Sequence, residues 1–253
     1  MQSMGIASIV FACLSGSALL GLFVRALLPA EHLSPDARDV VKLSMGLVAT
    51  MAALVLGLLT ASAKSSFDTQ NSEVQQSAAH IILLDRALAG YGPETQNVRD
   101  LLRRAVAFRL AVTWPEDGAP AKNLGSSETT PTVEAIENGI HVLTPQNEAQ
   151  HGFQARAVAI CGQLLETRWL MFAQASNSPP VTFLVVLVFW LALLFGSFGI
   201  LAPRNGTVIS ALLLCALAVS GSTFLILEMS RPLEGMIKIS SAPLRYALSQ
   251  LGK

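Results

Sequence analysis

The sequence predicts an all-α protein with four transmembrane helices and a helical extramembrane domain. Four long windows contain no charged residue, helix-period apolar stripes recur between them, and no segment alternates apolar and polar residues convincingly as a strand would. Only 13% of the 253 residues are charged, against ~25% in a typical soluble domain. Lys plus Arg and Asp plus Glu are equal at 17 each. This composition excludes a disordered chain, a nucleic-acid binder and an ordinary soluble enzyme.

The charge-free windows are residues 4–24, 43–63, 181–202 and 205–227. An α-helix needs ~20 apolar residues to cross ~30 Å of hydrocarbon, so each window can span a bilayer. We interpret the first as a retained helix, because no Lys or Arg precedes it and Arg25 follows it. The predicted domains are therefore a transmembrane hairpin (1–63), an insert (64–180), a second hairpin (181–227) and a tail (228–253).

The second membrane helix is predicted to continue far beyond the membrane. Ser34 and Pro35 are typical of an N-cap followed by the first helical residue, and no further proline occurs before Ala89. A helix of about 55 residues would be roughly 80 Å long. Its projecting part carries one apolar stripe at helical spacing, formed by Phe67, Val74, Ala78, Ile81, Leu84 and Leu88.

Breaks and caps predict the remaining helices of the insert. Residues 90–94 end the long helix and start another that runs to about Val112. Residues 116–130 are predicted to be a loop, Thr130 to cap a short helix, and Asn138-Gly139 to form a turn. A long amphipathic helix is expected from Thr144 to near Ser176. Its apolar positions are Phe153, Ala157, Ile160, Leu164, Trp169 and Phe172.

No residue pattern indicates catalysis. Nucleophile-elbow, phosphate-loop and zinc-protease motifs are absent, and neither the four histidines nor the three cysteines have metal-ligand spacing. We therefore expect no enzyme activity, catalytic residue, metal or cofactor. The predicted spans also contain no ionisable residue, which argues against a proton-coupled pump but leaves a channel possible.

The second span carries a narrow face of small side chains that has two interpretations. The face could pack closely against another helix, or it could line a pore in an oligomer. Lys64, at the end of this span, could extend to the lipid headgroups or attract anions at a pore mouth. The candidate pore face consists of Gly46, Thr50, Ala53, Gly57 and Ala61.

Two blocks of sequence resemble the bestrophin-like integral membrane protein family, whose defining domain is of unknown function. The first runs through residues 58–68 (LLTASAKSSFD), 82–86 (ILLDR) and 91–94 (YGPE); the second through 231–235 (RPLEG) and 240–245 (SSAPLR). Ser230 and Leu233 depart from the family pattern, which has Asp and Phe there. The residues of interest by this resemblance, as family-motif residues or structural pairing residues, are Phe67, Asp68, Glu73, Asp85, Arg86, Tyr91, Gly92, Pro93, Glu94, Arg99, Arg231, Pro232, Gly235, Pro243 and Arg245.

The resemblance implies a fold and a function by analogy. Bestrophins are pentameric anion channels with four spans, long helices continuing into a cytosolic domain, and the second span lining the pore. We therefore expect a homo-oligomer, a pentamer by analogy, that lies in a lipid bilayer and conducts small anions such as chloride. Asp85 and Arg86 are expected to pair with a neighbouring helix or subunit, for example through Arg99 or Arg245, and Glu228 with Lys64. The alternative is a non-conducting scaffold or sensor whose insert binds a partner protein.

Orientation is weakly encoded. Basic residues near the spans are almost evenly divided between the two sides, so they do not set the topology. The absence of a disulfide framework favours a cytoplasmic insert. We expect a multi-pass protein of the bacterial inner membrane, with both termini and the insert cytoplasmic and no nucleic-acid partner.

Overall fold

A computed structural model describes residues 2–27, 35–115, 130–175, 181–233 and 235–253. All the regular structure in these ranges is helical, as the sequence predicts. The helices are α1 (Gln2–Leu27), α2 (Pro35–Tyr91), a short 3₁₀ helix (Pro93–Thr95), α3 (Gln96–Thr113), α4 (Thr130–His141), α5 (Glu148–Ala175), α6 (Val181–Leu201), α7 (Gly206–Met229) and α8 (Ala242–Gln250).

Four of the described helices are long and apolar enough to cross a membrane: α1, α2, α6 and α7. They contain the four charge-free windows, apart from the last residue of the third window and the first residue of the fourth. The long second helix is confirmed, since α2 is a single helix of 57 residues. The chain divides into two compact units, to both of which α2 contributes: residues 1–66 with 179–231, and residues 67–178 with 232–253.

The first unit holds the four apolar segments. Within it α1 packs against both α6 and α7. The Ser17 hydroxyl donates to the Ala192 carbonyl at 2.6 Å, and the Ser220 hydroxyl donates to the Ala7 carbonyl at 2.7 Å. Near the C-terminal end of α1, Arg25 donates to the Leu201 carbonyl. Because equivalent ends of α1 and α6 meet, these two helices run parallel, as four successive crossings require.

The second unit has its own apolar core. The projecting stripe of α2 is confirmed: Val74, Ala78, Ile81, Leu84 and Leu88 are at most 5% exposed, and Phe67 packs against them partly buried. The other buried members come from α3, α4, α5 and the chain around α8. They are Val98, Leu102, Val106, Leu110, Ile136, Ile140, Ala157, Ile160, Cys161, Met171, Ile239, Leu244, Ala247 and Leu251, with Ala87 from α2.

The turn expected at Asn138-Gly139 is wrong, because α4 continues through both residues to His141. Gly139 has a packing role instead. A Cβ at this position would lie 2.9 Å from the Val98 Cγ2 atom, which is tighter than ordinary contact. Glycine thus lets α4 approach α3, and the tertiary contact overrides the local turn preference of the Asn-Gly pair.

The long helix of the insert begins later than the sequence predicts. Asn147, not Thr144, caps α5: its Oδ1 atom accepts the Gln150 backbone N–H at 2.9 Å. Trp169, assigned to the buried stripe, is 58% exposed, whereas Ala157 and Ile160 are buried as expected. The predicted loop 116–130 lies outside the described residues except for Thr130, as do the cap Ser34 and the break at 178–180.

The tail contains a helix that the sequence analysis leaves unassigned. In α8 the N-cap is Ser241 and a proline occupies the first turn. Leu244 and Ala247 of α8 and Leu251 beyond it are buried in the second unit. This cap, the proline and the apolar spacing of three and four residues are the signals that could have predicted it.

Candidate functional site

The candidate pore face is exposed in the chain. Gly46, Thr50, Ala53, Gly57 and Ala61 all belong to the exposed class. A Cβ added at Gly46 or Gly57 would meet no atom within 4 Å. The Thr50 hydroxyl donates to carbonyls of its own helix, at 3.0 Å to Gly46 and 2.8 Å to Leu47. No described residue of the same chain therefore packs against this face at its glycines.

A second exposed face lies beside the first. With ~100° per residue, the bulky side chains of α2 are centred roughly 90° from the candidate pore face. We call this the bulky face; its members Leu47, Met51, Leu54 and Leu58 are 65%, 46%, 75% and 69% exposed. A third side of the helix carries Met45 and Ala52, which are buried in the core of the first unit.

The glycines of α1 and α6 behave differently from those of α2. A Cβ at Gly21 would lie 2.1 Å from the Gly196 carbonyl oxygen, and one at Gly199 would lie 2.2 Å from the Ala18 carbonyl oxygen. These glycines allow backbone-to-backbone contact between α1 and α6, as in membrane helix pairs with small residues. Close helix packing within the chain thus explains the glycines of α1 and α6. It does not explain Gly46 or Gly57 of α2.

Charged residues lie at the end of α7 and at the end of the apolar segment of α2. Glu228, in the last turn of α7, is 3% exposed, and Lys64 belongs to the exposed class. Each of the two residues has an interaction of its own within the protein. Pairing of Glu228 with Lys64 stays a prediction.

In the second unit, Asp85 and Arg99 form a buried ion pair. The Arg99 Nε and Nη2 atoms donate to the two carboxylate oxygens of Asp85 at 2.8 and 3.0 Å. The side chains of Asp85 and Arg99 are 1% and 14% exposed. These hydrogen bonds raise the pKa of Arg99 above its ordinary value, against the opposing effect of burial. The pair joins α2 to α3 in a two-point geometry suited to guanidinium and carboxylate.

Residues of the tail complete this junction. The Gly252 backbone N–H donates to Asp85 Oδ2 at 3.4 Å, and Arg86 Nη1 donates to the Lys253 carbonyl at 2.8 Å. Arg245 lies elsewhere, and its Nε donates to the Ser241 hydroxyl at 3.1 Å. The two adjacent charges of α2 thus point to different partners, one to a side chain of α3 and one to backbone of the tail.

The segment after α2 forms a sharp turn. Gly92 has a φ of 139°, which L side chains rarely adopt, so glycine is needed there. Pro93 and Glu94 begin the 3₁₀ helix and are exposed, while Tyr91 is buried. Thr95, which the sequence analysis does not single out, is fully buried, and its hydroxyl lies 2.7 Å from the Leu88 carbonyl and 2.8 Å from that of Gly92. Such a donor satisfies a carbonyl left open at the helix end.

The tail motif is spread over a loop and the first turn of α8. Pro232 is buried, and its carbonyl accepts the Ile239 backbone N–H at 2.8 Å. The Ile239 carbonyl in turn accepts the Trp114 indole N–H at 2.8 Å. Gly235 has a φ of 91°. The remaining residues of interest have simpler positions: Arg231, Asp68 and Arg245 are exposed, Glu73 is 8% exposed, and Pro243 is half-buried at the start of α8.

The chain matches known proteins along most of its length. A family model described as the bestrophin-like domain covers residues 12–244. A crystal structure of a bacterial bestrophin homologue from Klebsiella pneumoniae, with a point mutation, superposes with a TM-score of 0.59 at 13% identity, over 96% of each chain. Two point variants of a membrane protein give TM-scores of 0.59 and 0.60 at 13% and 14% identity, over 97% of this chain and 100% and 96% of theirs. No curated protein matches.

Proposed function

This chain belongs to the bestrophin-like family, and from that premise we propose that it is an oligomeric anion channel whose pore is lined by α2. One observation carries the proposal: no described helix of the chain covers the candidate pore face at its glycines, although α1 and α6 pack against each other backbone to backbone. A membrane helix with two adjacent exposed faces is suited to a ring of copies. In such a ring the bulky face meets a neighbouring copy or lipid, and the candidate pore face borders the central axis of the ring.

The candidate pore face has the chemistry of a conduction path for anions. It offers glycine, alanine and threonine, none of which binds a small anion tightly enough to arrest it. Lys64 adds a positive charge to the first unit at the end of the apolar segment, where it raises the local concentration of anions. By analogy with bestrophins the ring has five copies, lies in the bacterial inner membrane and has its termini on the cytoplasmic side.

Chloride efflux from liposomes containing the purified full chain tests the proposal. Gly57→Trp places a large ring on the candidate pore face and is expected to reduce efflux by an order of magnitude or more. Leu58→Trp is the matched control, because it adds the same ring at the same depth on the bulky face, where the native side chain is already 69% exposed. Lys64→Glu is expected to shift the reversal potential away from the chloride equilibrium value.

Three outcomes would reject the pore. They are a monomeric or dimeric mass for the folded protein, no efflux from a folded ring, and equal block by Gly57→Trp and Leu58→Trp. Absence of efflux together with a co-purifying protein bound to the insert would favour the non-conducting scaffold instead.

A further inference from the structure

We propose that the second unit contains a binding site for a small organic monocarboxylate, in the cavity that Arg109 and Arg168 share. The cavity has a volume of about 80 Å³ and lies among α2, α3, α4 and α5. The pore proposal plays no part in this inference, which rests on the cavity and its charges alone.

The part of the cavity wall that the described residues form is apolar except for two guanidinium groups and one thiol. A ligand that fills it must therefore present hydrocarbon to most of its surroundings. The apolar lining residues are Ile81, Leu84, Leu102, Ala105, Val106, Phe108, Val133, Ile136 and Leu164, and Cys161 supplies the thiol.

Arg109 is the unusual group in this wall. Its Nε atom is buried and has no hydrogen-bond partner among the described residues. Its Nη2 atom makes a 3.6 Å contact with the Met171 sulfur, a weak acceptor. Burial, and to a smaller extent the nearby charge of Arg168, lower the pKa of Arg109 to about 10. No carboxylate among the described residues offsets this charge.

Arg168 differs from Arg109 because an acidic residue is near it. Burial lowers the pKa of Arg168, and the carboxylate of Glu134 partly restores it. Burial, together with the carboxylate of Glu137, raises the pKa of the Cys161 thiol. Among the described residues, Arg109 is therefore the cation of this cavity on which no carboxylate acts.

A bound monocarboxylate would pair with Arg109. Arg109 as a whole is half-buried, but a buried guanidinium nitrogen without a partner is costly. A carboxylate matches the planar donors of a guanidinium at two points. Chloride would supply charge but would leave the apolar wall unfilled. A water needs roughly 10–15 Å³ by this kind of measure, so the cavity holds an acid of about five to eight non-hydrogen atoms. Phe108, one of the lining residues, is itself 42% exposed.

Thermal unfolding of the full chain in detergent tests the site, with sodium pentanoate as the probe. Pentanoate at millimolar concentration is expected to raise the melting temperature in a saturable manner. Acetate is too short to fill the cavity, and decanoate is too long to fit in it. Pentanamide lacks the charge. Sodium chloride at equal ionic strength controls for screening. Each of these four is expected to shift the melting temperature less than pentanoate does.

Variants assign the effect to the cavity. Arg109→Met is expected to weaken pentanoate binding roughly tenfold or more, while the unliganded protein melts no lower, since an uncompensated buried charge is removed. Arg103→Met, an exposed arginine of the same helix, is the matched control and keeps full affinity. Ala105→Leu, which fills the cavity, provides a second variant and is expected to abolish binding.

Several results would overturn the proposal. These are no shift with pentanoate, equal affinity in Arg109→Met or in Ala105→Leu, or an equal shift with chloride. Tighter binding of decanoate would replace the small acid by a lipid-derived fatty acid. None of these measurements requires ion flux, so failure of this site and failure of the pore are separate outcomes.

Discussion

Removing the carboxylate of Asp85 is the sharpest test of how the second unit is held together. Asp85→Asn keeps the shape of the side chain but leaves the charge of Arg99 without its partner. Breaking a buried ion pair from one side costs about 3–5 kcal/mol. Because Arg99 retains 14% of its exposure, the expected cost lies at the lower end, about 3 kcal/mol. For a domain of this size that loss lowers the melting temperature by about 10 °C.

The assay is thermal unfolding of the full chain in detergent, followed by circular dichroism. Asp100→Asn is the matched control, because Asp100 lies in α3, is exposed, and accepts one long hydrogen bond of 3.4 Å from Gln96. Its loss is expected to stay within about 0.5 kcal/mol. A double-mutant cycle with Arg99→Gln measures the coupling between the two charges directly. A coupling near zero, or equal losses in Asp85→Asn and Asp100→Asn, would refute the reasoning.

Three further predictions concern glycine packing, backbone strain and thiol burial. Gly199→Ala is expected to destabilise the first unit by about 1–3 kcal/mol, since the added Cβ would meet the backbone of α1. Gly57→Ala should leave the melting temperature unchanged or raise it. A larger loss of stability in Gly57→Ala than in Gly199→Ala would contradict the packing argument. Gly92→Ala is expected to cost about 1–3 kcal/mol in thermal unfolding because of its φ of 139°, and an unchanged melting temperature would disprove this. Burial, with a smaller effect of Glu137, raises the pKa of the Cys161 thiol from 9.0 to about 11. In a protein whose other two cysteines are replaced by serine, Cys161 should therefore be alkylated about 100-fold more slowly than a free thiol below pH 9. Between pH 9 and 11 the unfolded thiol ionises first, so stability should fall with rising pH there, and Cys161→Ala should lack that slope.

Much of the architecture follows from local signals. Proline and glycine punctuation places both ends of α2 within two residues, and helical spacing identifies its buried stripe. Two of the errors arise where tertiary contacts decide. Asn138-Gly139 stays helical because α4 needs a close approach to α3. Trp169 follows the periodicity of the stripe yet is exposed.

The candidate sites show the same division between local and distant information. Periodicity alone identifies the candidate pore face of α2, but it does not show what covers that face. Contact with another copy of the chain does not change the spacing of residues along the sequence. Arg109 has no distinguishing neighbour in sequence. Its unusual environment comes from Arg168 and Met171, residues about sixty positions away that α5 brings to α3.

The order of segments in the second unit has a consequence for biosynthesis. Its core combines residues 67–178 with 232–253, and the apolar helices α6 and α7 lie between them along the chain. During translation both must leave the ribosome before α8 can supply Leu244 and Ala247 to that core. The extramembrane unit therefore waits, with part of its apolar surface open, until the second hairpin has emerged. A premature stop codon before α8 would release a chain that can insert yet cannot close this core, and such a product is a natural target for quality-control proteases.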